Sequence, residues 1–177
     1  MDVRWILMTL LLVLPTVAVV VTLLSGLEMP ERHHLHHDTY TISPVIGRSY
    51  VLNMLFMGML GTLVGWLCHL GVFSADPLVP ALFFTAFLVS LYLILMFVLA
   101  YRVTLYDDHM VVRLAFRPTR TIYYDEIEQM EWLPSVLDPR LHDLGITPRT
   151  GRRLRIWCLL DIEQMLLRVD RYDAFAE

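Results

Sequence analysis

Histidines crowd the segment between the first two apolar runs, where residues 31–40 read ERHHLHHDTY. On a helix His33 and His37 would share one face, and so would His34 and Asp38, because residues four apart lie one above the other. Two imidazoles at this spacing form half of a zinc site, and such a cluster also titrates near neutral pH. The segment matches no established metal motif. We therefore predict a solvated loop near lipid headgroups without a metal or other cofactor, with a metal site or a pH sensor as the alternatives.

All 14 basic residues are arginines, whose guanidinium fork suits phosphate groups, although a GC-rich genome produces the same bias. They concentrate near the C-terminus, at Arg149, Arg152, Arg153 and Arg155. On a domain beside a membrane these side chains would contact anionic lipid, at about 1 kcal/mol per arginine. The alternative is a solvated strand face on which they pair with Asp and Glu neighbours.

The sequence contains no motif typical of catalysis: no nucleophile elbow, P-loop or zinc signature. His109 beside Asp107 and Asp108 has the composition of a tight turn. Cys68 lies in an apolar run and Cys158 in a polar region, so a disulfide between them is not expected. These features predict a protein that is not an enzyme.

Hydrophobic residues make up 56% of the 177-residue chain, against roughly 45–50% in a soluble globular domain. They concentrate in three runs, at residues 5–27, 51–73 and 79–101. A helix of this length rises about 34 Å, enough to cross a hydrocarbon core of about 30 Å. The first run is longer than the core of a cleaved signal peptide. We predict three transmembrane helices, with residues 28–50 as a loop.

The second run contains Gly58, Gly61 and Gly65. Glycines at this spacing let another helix approach closely. They predict a helix-packing face, whose partner is the first or third helix of the same chain, a second copy, or another membrane protein.

Arginines outside the runs predict the orientation. Arg32, Arg48 and Arg102 lie on one side of the predicted membrane, and Arg4 lies on the other. The positive-inside rule places the richer side in the cytoplasm. We predict a multi-pass protein of the inner (plasma) membrane with the N-terminus outside and residues 102–177 in the cytoplasm.

Period-2 alternation after residue 101 predicts a small α+β domain built on a curved antiparallel sheet. Asp161 begins a helix with Gln164 three residues on, close to a capping box. Its apolar residues are predicted to form one stripe, made of Ile162, Met165, Leu166, Val169 and Tyr172. Residues 135–150, which contain Pro139, Gly145 and Pro148, are predicted to be a long loop. The predicted strands are residues 102–106, 110–116, 121–124, 128–133 and 152–159.

Residues 107–113 and 123–127 resemble the strand-turn pattern of bacterial PH-like domains, which often follow membrane helices. The resemblance extends over residues 101–175 and implies a split β-barrel of about seven strands with a capping helix, in a scaffold or binding role. Only five strands are predicted here. The others lie within residues 135–150, or a partner completes an open sheet edge. The acidic turn at Asp107 and Asp108 disfavours phosphoinositide binding at the first hairpin.

These observations predict a non-enzymatic integral membrane protein that presents a PH-like domain for protein or lipid contact. Its expected partners are the lipid bilayer and another membrane protein or a second copy, with no nucleic acid. The alternatives are an accessory subunit of a transporter or secretion complex and a protein of membrane immunity or stress protection.

Overall fold

The computed structural model describes residues 3–27, 37–74, 76–114, 118–135, 138–169 and 174–175. The chain divides into two units. The helical unit comprises Met1–Met29 and Pro44–Leu99, and the sheet unit comprises Pro30–Ser43 and Ala100–Glu177.

The helical unit contains three helices long and apolar enough to cross a membrane, which confirms the prediction of three candidate spans. The helix α2 begins seven residues before the predicted run, at Pro44 rather than residue 51. Proline is favoured in the first turn, where its missing N–H leaves no bond unmade and its fixed φ suits the helix. The helices are α1 (Val3–Leu27), α2 (Pro44–His69) and α3 (Leu78–Ala100).

Leu11, Met54, Leu88 and Leu95 form the core of the helical unit and are fully buried. Many other apolar side chains of the three helices remain exposed, which suits helices that face lipid.

The sheet unit contains two antiparallel sheets among its described residues. The first has the order β1-β2-β3-β4 and the second the order β5-β6-β7. A short 3-10 turn, Tyr124–Glu126, separates them. The strands are β1 (His37–Thr41), β2 (Arg102–Tyr106), β3 (His109–Arg113), β4 (Arg120–Tyr123), β5 (Ile127–Pro134), β6 (His142–Pro148) and β7 (Leu154–Ile156).

Two strands lie where the sequence predicts loops. β1 falls within residues 28–50, and it pairs along its whole length with β2, from His37↔Tyr106 to Thr41↔Arg102. β6 falls within residues 135–150 and forms the centre of the second sheet. Both depend on partner strands, which a local pattern does not reveal.

The sheet unit closes with α4 (Ile162–Val169). The predicted apolar stripe is confirmed over α4, because Ile162, Met165, Leu166 and Val169 are all buried; Tyr172 lies outside the described residues. The cap is confirmed too, since the amide of Gln164 donates to Oδ1 of Asp161 over 3.2 Å. Apolar side chains of both sheets are fully buried as well, among them Val103, Leu105, Ile146 and Ile156.

Candidate functional site

The four predicted lipid-contact arginines lie on and beside the turn between β6 and β7, here called the basic hairpin (Arg149, Arg152, Arg153 and Arg155). Arg153 forms an ion pair with Glu131 of β5. Arg155 donates through Nε to Asp143 Oδ2 over 2.6 Å and through Nη2 to the carbonyl of Pro134. Arg149 and Arg152 are exposed. Two of the four arginines are therefore held by acceptors within the sheet.

Asp143 accepts hydrogen bonds from β7 and from the segment after it. Its side chain is 3% exposed, and Oδ1 accepts the backbone N–H of Cys158 over 2.9 Å. Burial alone would raise the pKa of Asp143, but hydrogen bonds from the Cys158 amide and Arg155 outweigh it and hold the pKa below its ordinary value. Asp143 therefore joins β6, β7 and the segment after β7 as a charged group.

The three glycines of α2 face the neighbouring helices of the same chain. A Cβ at Gly58 would lie 2.8 Å from the carbonyl oxygen of Leu11, and one at Gly61 would lie 2.8 Å from Phe84 of α3. At Gly65 the added carbon would overlap the end of Met8. α1 and α3 therefore fill this face.

The histidine-rich segment is described only from His37 onward, so His33 and His34 lie outside the described residues. His37 and Asp38 are adjacent on β1, and adjacent strand residues point to opposite faces. His37 stacks on Tyr106 with ring centroids 5.5 Å apart, whereas Asp38 pairs with Arg168 over 3.6 Å. No group of three His, Cys, Asp or Glu suited to a metal occurs in the described part of the chain.

Arg168 fastens α4 to the first sheet. Besides Asp38, it contacts Oδ1 of Asp107 over 3.1 Å, so one guanidinium joins the helix, β1 and the β2–β3 turn. The acidic turn is thus partly neutralised from within the domain.

The outward-facing residues of the first sheet form three cross-strand rows, because paired residues of antiparallel strands share a face. The row farthest from α2 and α3 along the strands contains the rings of His37, Tyr106, His109 and Tyr123. Consecutive ring centroids lie 5.5, 4.6 and 5.4 Å apart. The middle row includes Thr39 and Thr104, whose Oγ1 atoms are 3.3 Å apart. The side chains of this face are therefore grouped by type, with one row of rings and another row that includes hydroxyls.

The row at the opposite end contains Thr41, Arg102 and Arg113, here called the arginine row. Arg102 pairs in register with Thr41 on one side and with Arg113 on the other. Thr41 and Arg113 are exposed, and Arg102 is partly buried. Arg102 is also the second residue after the end of α3.

A wide, open cavity of about 580 Å³ lies beside β5, β6 and the start of α4. Trp132, Leu141, Cys158 and Leu160 line it together with the start of α4. Trp132 is 45% exposed and stacks on Phe175 at 5.9 Å. The lining combines apolar and charged side chains.

No family model, curated protein or solved structure matches this chain.

Sequence reasoning identified the basic hairpin but missed the arginine row. The signal was present, because a tight turn at Asp107 and Asp108 places Arg102 opposite Arg113 once the two strands pair. Thr41 could not be found in this way, since β1 was not predicted to be a strand.

Proposed function

We propose that this chain is a non-enzymatic, multi-pass protein of the bacterial inner (plasma) membrane that presents a PH-like domain at the cytoplasmic face for protein or lipid contact. The observation that carries the proposal concerns chain order: α2 and α3 lie in the sequence between β1 and β2, which are neighbouring strands of one sheet. β1 ends at Thr41 and α2 begins at Pro44; α3 ends at Ala100 and β2 begins at Arg102. Each residue extends the chain by at most about 3.6 Å. The domain is therefore tied to the membrane by short connections, as a presenting module requires.

The strand count supports the PH-like part of the proposal. Four strands in one sheet, three in the other and a final amphipathic helix correspond to the seven-stranded, helix-capped barrel that the resemblance implies. β1 and β6 supply the two strands that the sequence prediction lacked.

The ends of the helices support the orientation. Arg4 at the start of α1 lies 3.6 Å from Asp76 in the α2–α3 turn, so these two segments share one end of the helical unit. Arg48, near the start of α2, and Arg102, just after α3, lie at the opposite end. By the positive-inside rule, the end with more arginines faces the cytoplasm.

The accessory-subunit alternative draws less support from the glycines than the sequence suggested, because α1 and α3 fill the face of Gly58, Gly61 and Gly65. No residue favours the immunity or stress-protection alternative.

The test is purification of the full chain from native membranes in mild detergent, followed by mass spectrometry. We expect the chain alone or as a homo-oligomer, with lipid or with protein in less than stoichiometric amount. A heterologous membrane protein at fixed stoichiometry would overturn the proposal in favour of the accessory subunit.

The orientation is tested by cysteine labelling in a chain whose Cys68 and Cys158 are replaced by serine. Ser74→Cys in the α2–α3 turn and Glu163→Cys on α4 both lie at exposed positions. A reagent that cannot cross the membrane should label the first in intact cells and the second only after permeabilisation. The reverse pattern would overturn the cytoplasmic assignment.

A further inference from the structure

Arg102 and Arg113 lie directly opposite each other on neighbouring strands. Like charges in such a pair repel at the short distance between the strands and destabilise the sheet. Arg4, Arg153, Arg155 and Arg168 each contact a carboxylate. Within the described ranges, neither Arg102 nor Arg113 forms an ion pair of this kind. The pair therefore concentrates positive charge that the sheet itself does not balance.

Arg102 adds a second observation. Its Nε atom is buried and donates to no acceptor among the described residues. A partly buried guanidinium without acceptors is unfavourable, because it has lost hydration and gained no hydrogen bond. An anion that binds the accessible part of this guanidinium would offset part of that cost.

The position of the row indicates the chemistry of the anion. Arg102 follows the end of α3 with Tyr101 alone between them. If α3 spans the bilayer, a residue at this position lies at the depth of the lipid headgroups, where arginines interact with anionic lipid. Thr41, the other neighbour of Arg102, contributes a hydroxyl donor from the same face.

We propose that the arginine row binds a phosphate group supplied by an anionic lipid headgroup. Arg102 and Arg113 donate from two sides to the phosphate oxygens, in the charge-assisted geometry that guanidinium groups favour. The hydroxyl of Thr41 donates to a further oxygen. The inference rests on the proposed membrane topology, but it concerns a site distinct from the basic hairpin.

The experiment uses the full chain in nanodiscs of phosphatidylcholine with and without phosphatidylglycerol. Native mass spectrometry measures retained phosphatidylglycerol. The double variant Arg102→Gln/Arg113→Gln should retain about tenfold less phosphatidylglycerol, the size expected for loss of a charge-assisted hydrogen bond. The matched control Arg120→Gln/Arg140→Gln removes the same charge from two exposed positions outside the arginine row and the basic hairpin, and should retain lipid like the unmodified chain. Equal retention by the two double variants would overturn the proposal.

Further variants distinguish a loss of lipid binding from a failure to fold or to insert into the membrane. Arg102→Lys/Arg113→Lys keeps the charge but removes the fork, so it should fold, insert and show intermediate retention. Thr41→Val keeps the strand and should lower retention a few-fold. Unchanged retention in both variants would also overturn the proposal, even if the glutamine double variant fails to fold.

Inorganic phosphate distinguishes the source of the group. Inorganic phosphate should lower phosphatidylglycerol retention no more than chloride does at the same ionic strength. If inorganic phosphate alone raises the melting temperature in phosphatidylcholine discs, and phosphatidylglycerol does not, the site takes a soluble phosphate and the lipid assignment is wrong. Reversed cysteine labelling together with arginine-dependent lipid retention would reject the proposed orientation and leave the phosphate site standing.

Discussion

The basic hairpin and the arginine row differ in what surrounds their guanidinium groups. The hairpin has more arginines close together in sequence, but Arg153 and Arg155 are bound to Glu131 and Asp143. The row has two arginines 11 residues apart in sequence that face each other when β2 and β3 pair. The density of arginine along a chain is therefore a poor measure of the charge that a ligand can use, because carboxylates in the fold neutralise part of it.

The largest loss of stability is expected when Asp143, the carboxylate that binds Arg155 of the basic hairpin, is removed. Asp143→Ala leaves Arg155 and the Cys158 amide without their carboxylate, and each lost hydrogen bond to a charged group costs about 1.5–3 kcal/mol. Urea unfolding of the full chain in detergent, followed by tryptophan fluorescence, should show that loss; Trp157 stacks on Tyr101 and reports on this region. Glu128→Ala, on an exposed residue of β5, is the control. Equal midpoints for the two variants would contradict the role given to Asp143.

A second pair of variants compares the stability contributed by a bound arginine and by an exposed arginine of the basic hairpin. Arg155→Gln removes hydrogen bonds to Asp143 and to the carbonyl of Pro134, and should lower the free energy of unfolding by about 1.5–3 kcal/mol. Arg152→Gln, at an exposed position, should change it by less than about 0.5 kcal/mol. The same unfolding measurement checks both, and a larger effect at Arg152 would reverse the distinction.

Acid titration sharpens the comparison, because low pH neutralises the Asp143 carboxylate in the unmodified chain. Because the pKa of Asp143 is held below its ordinary value of 3.8, its charge stabilises the folded state above that pH. The stabilisation is lost as the pH falls through the lower folded-state pKa. Asp143→Asn lacks this titration, so its stability should fall less steeply below about pH 4. Parallel acid-unfolding curves for the two proteins would show that Asp143 titrates normally.

The smallest effect is expected where the acceptors are exposed. Arg168 contacts Asp38 and Asp107, and all three side chains are more than a third exposed. Arg168→Gln should therefore cost less than about 1 kcal/mol, and the cost should shrink at high salt. A loss as large as that of Arg155→Gln would mean that exposure of the acceptor does not govern the strength of these pairs.

Local patterns in the sequence predicted much of the fold. The three apolar runs, β2 through β5 and the stripe of α4 have periodicities that depend on one segment at a time. β6 was foreseen only as one of two explanations for the missing strands, and its segment was predicted to be a loop because Gly145 and Pro148 are typical of loops. In the sheet Gly145 has a steric role, since a Cβ there would lie 2.7 Å from Arg153 and 2.8 Å from Leu133.

The candidate site was predictable only in part. The glycines of α2 were identified from their spacing, and their neighbours, Leu11, Met8 and Phe84, come from the helix packing. The hairpin arginines were identified from their density. The contribution of Asp143 was not visible, because a carboxylate beside His142 has the composition of an ordinary loop until β6 pairs with β7.

The amino-acid sequence by itself determined the three candidate spans, the change to a polar domain at residue 101 and the amphipathic face of α4. Each of these follows from hydrophobicity and periodicity within one continuous segment. Only the tertiary structure decided that β1 joins the sheet across an inserted pair of helices, and which arginines meet carboxylates. Strand pairing and ion pairing join residues distant in the chain, so these outcomes depend on the whole fold rather than on any one segment.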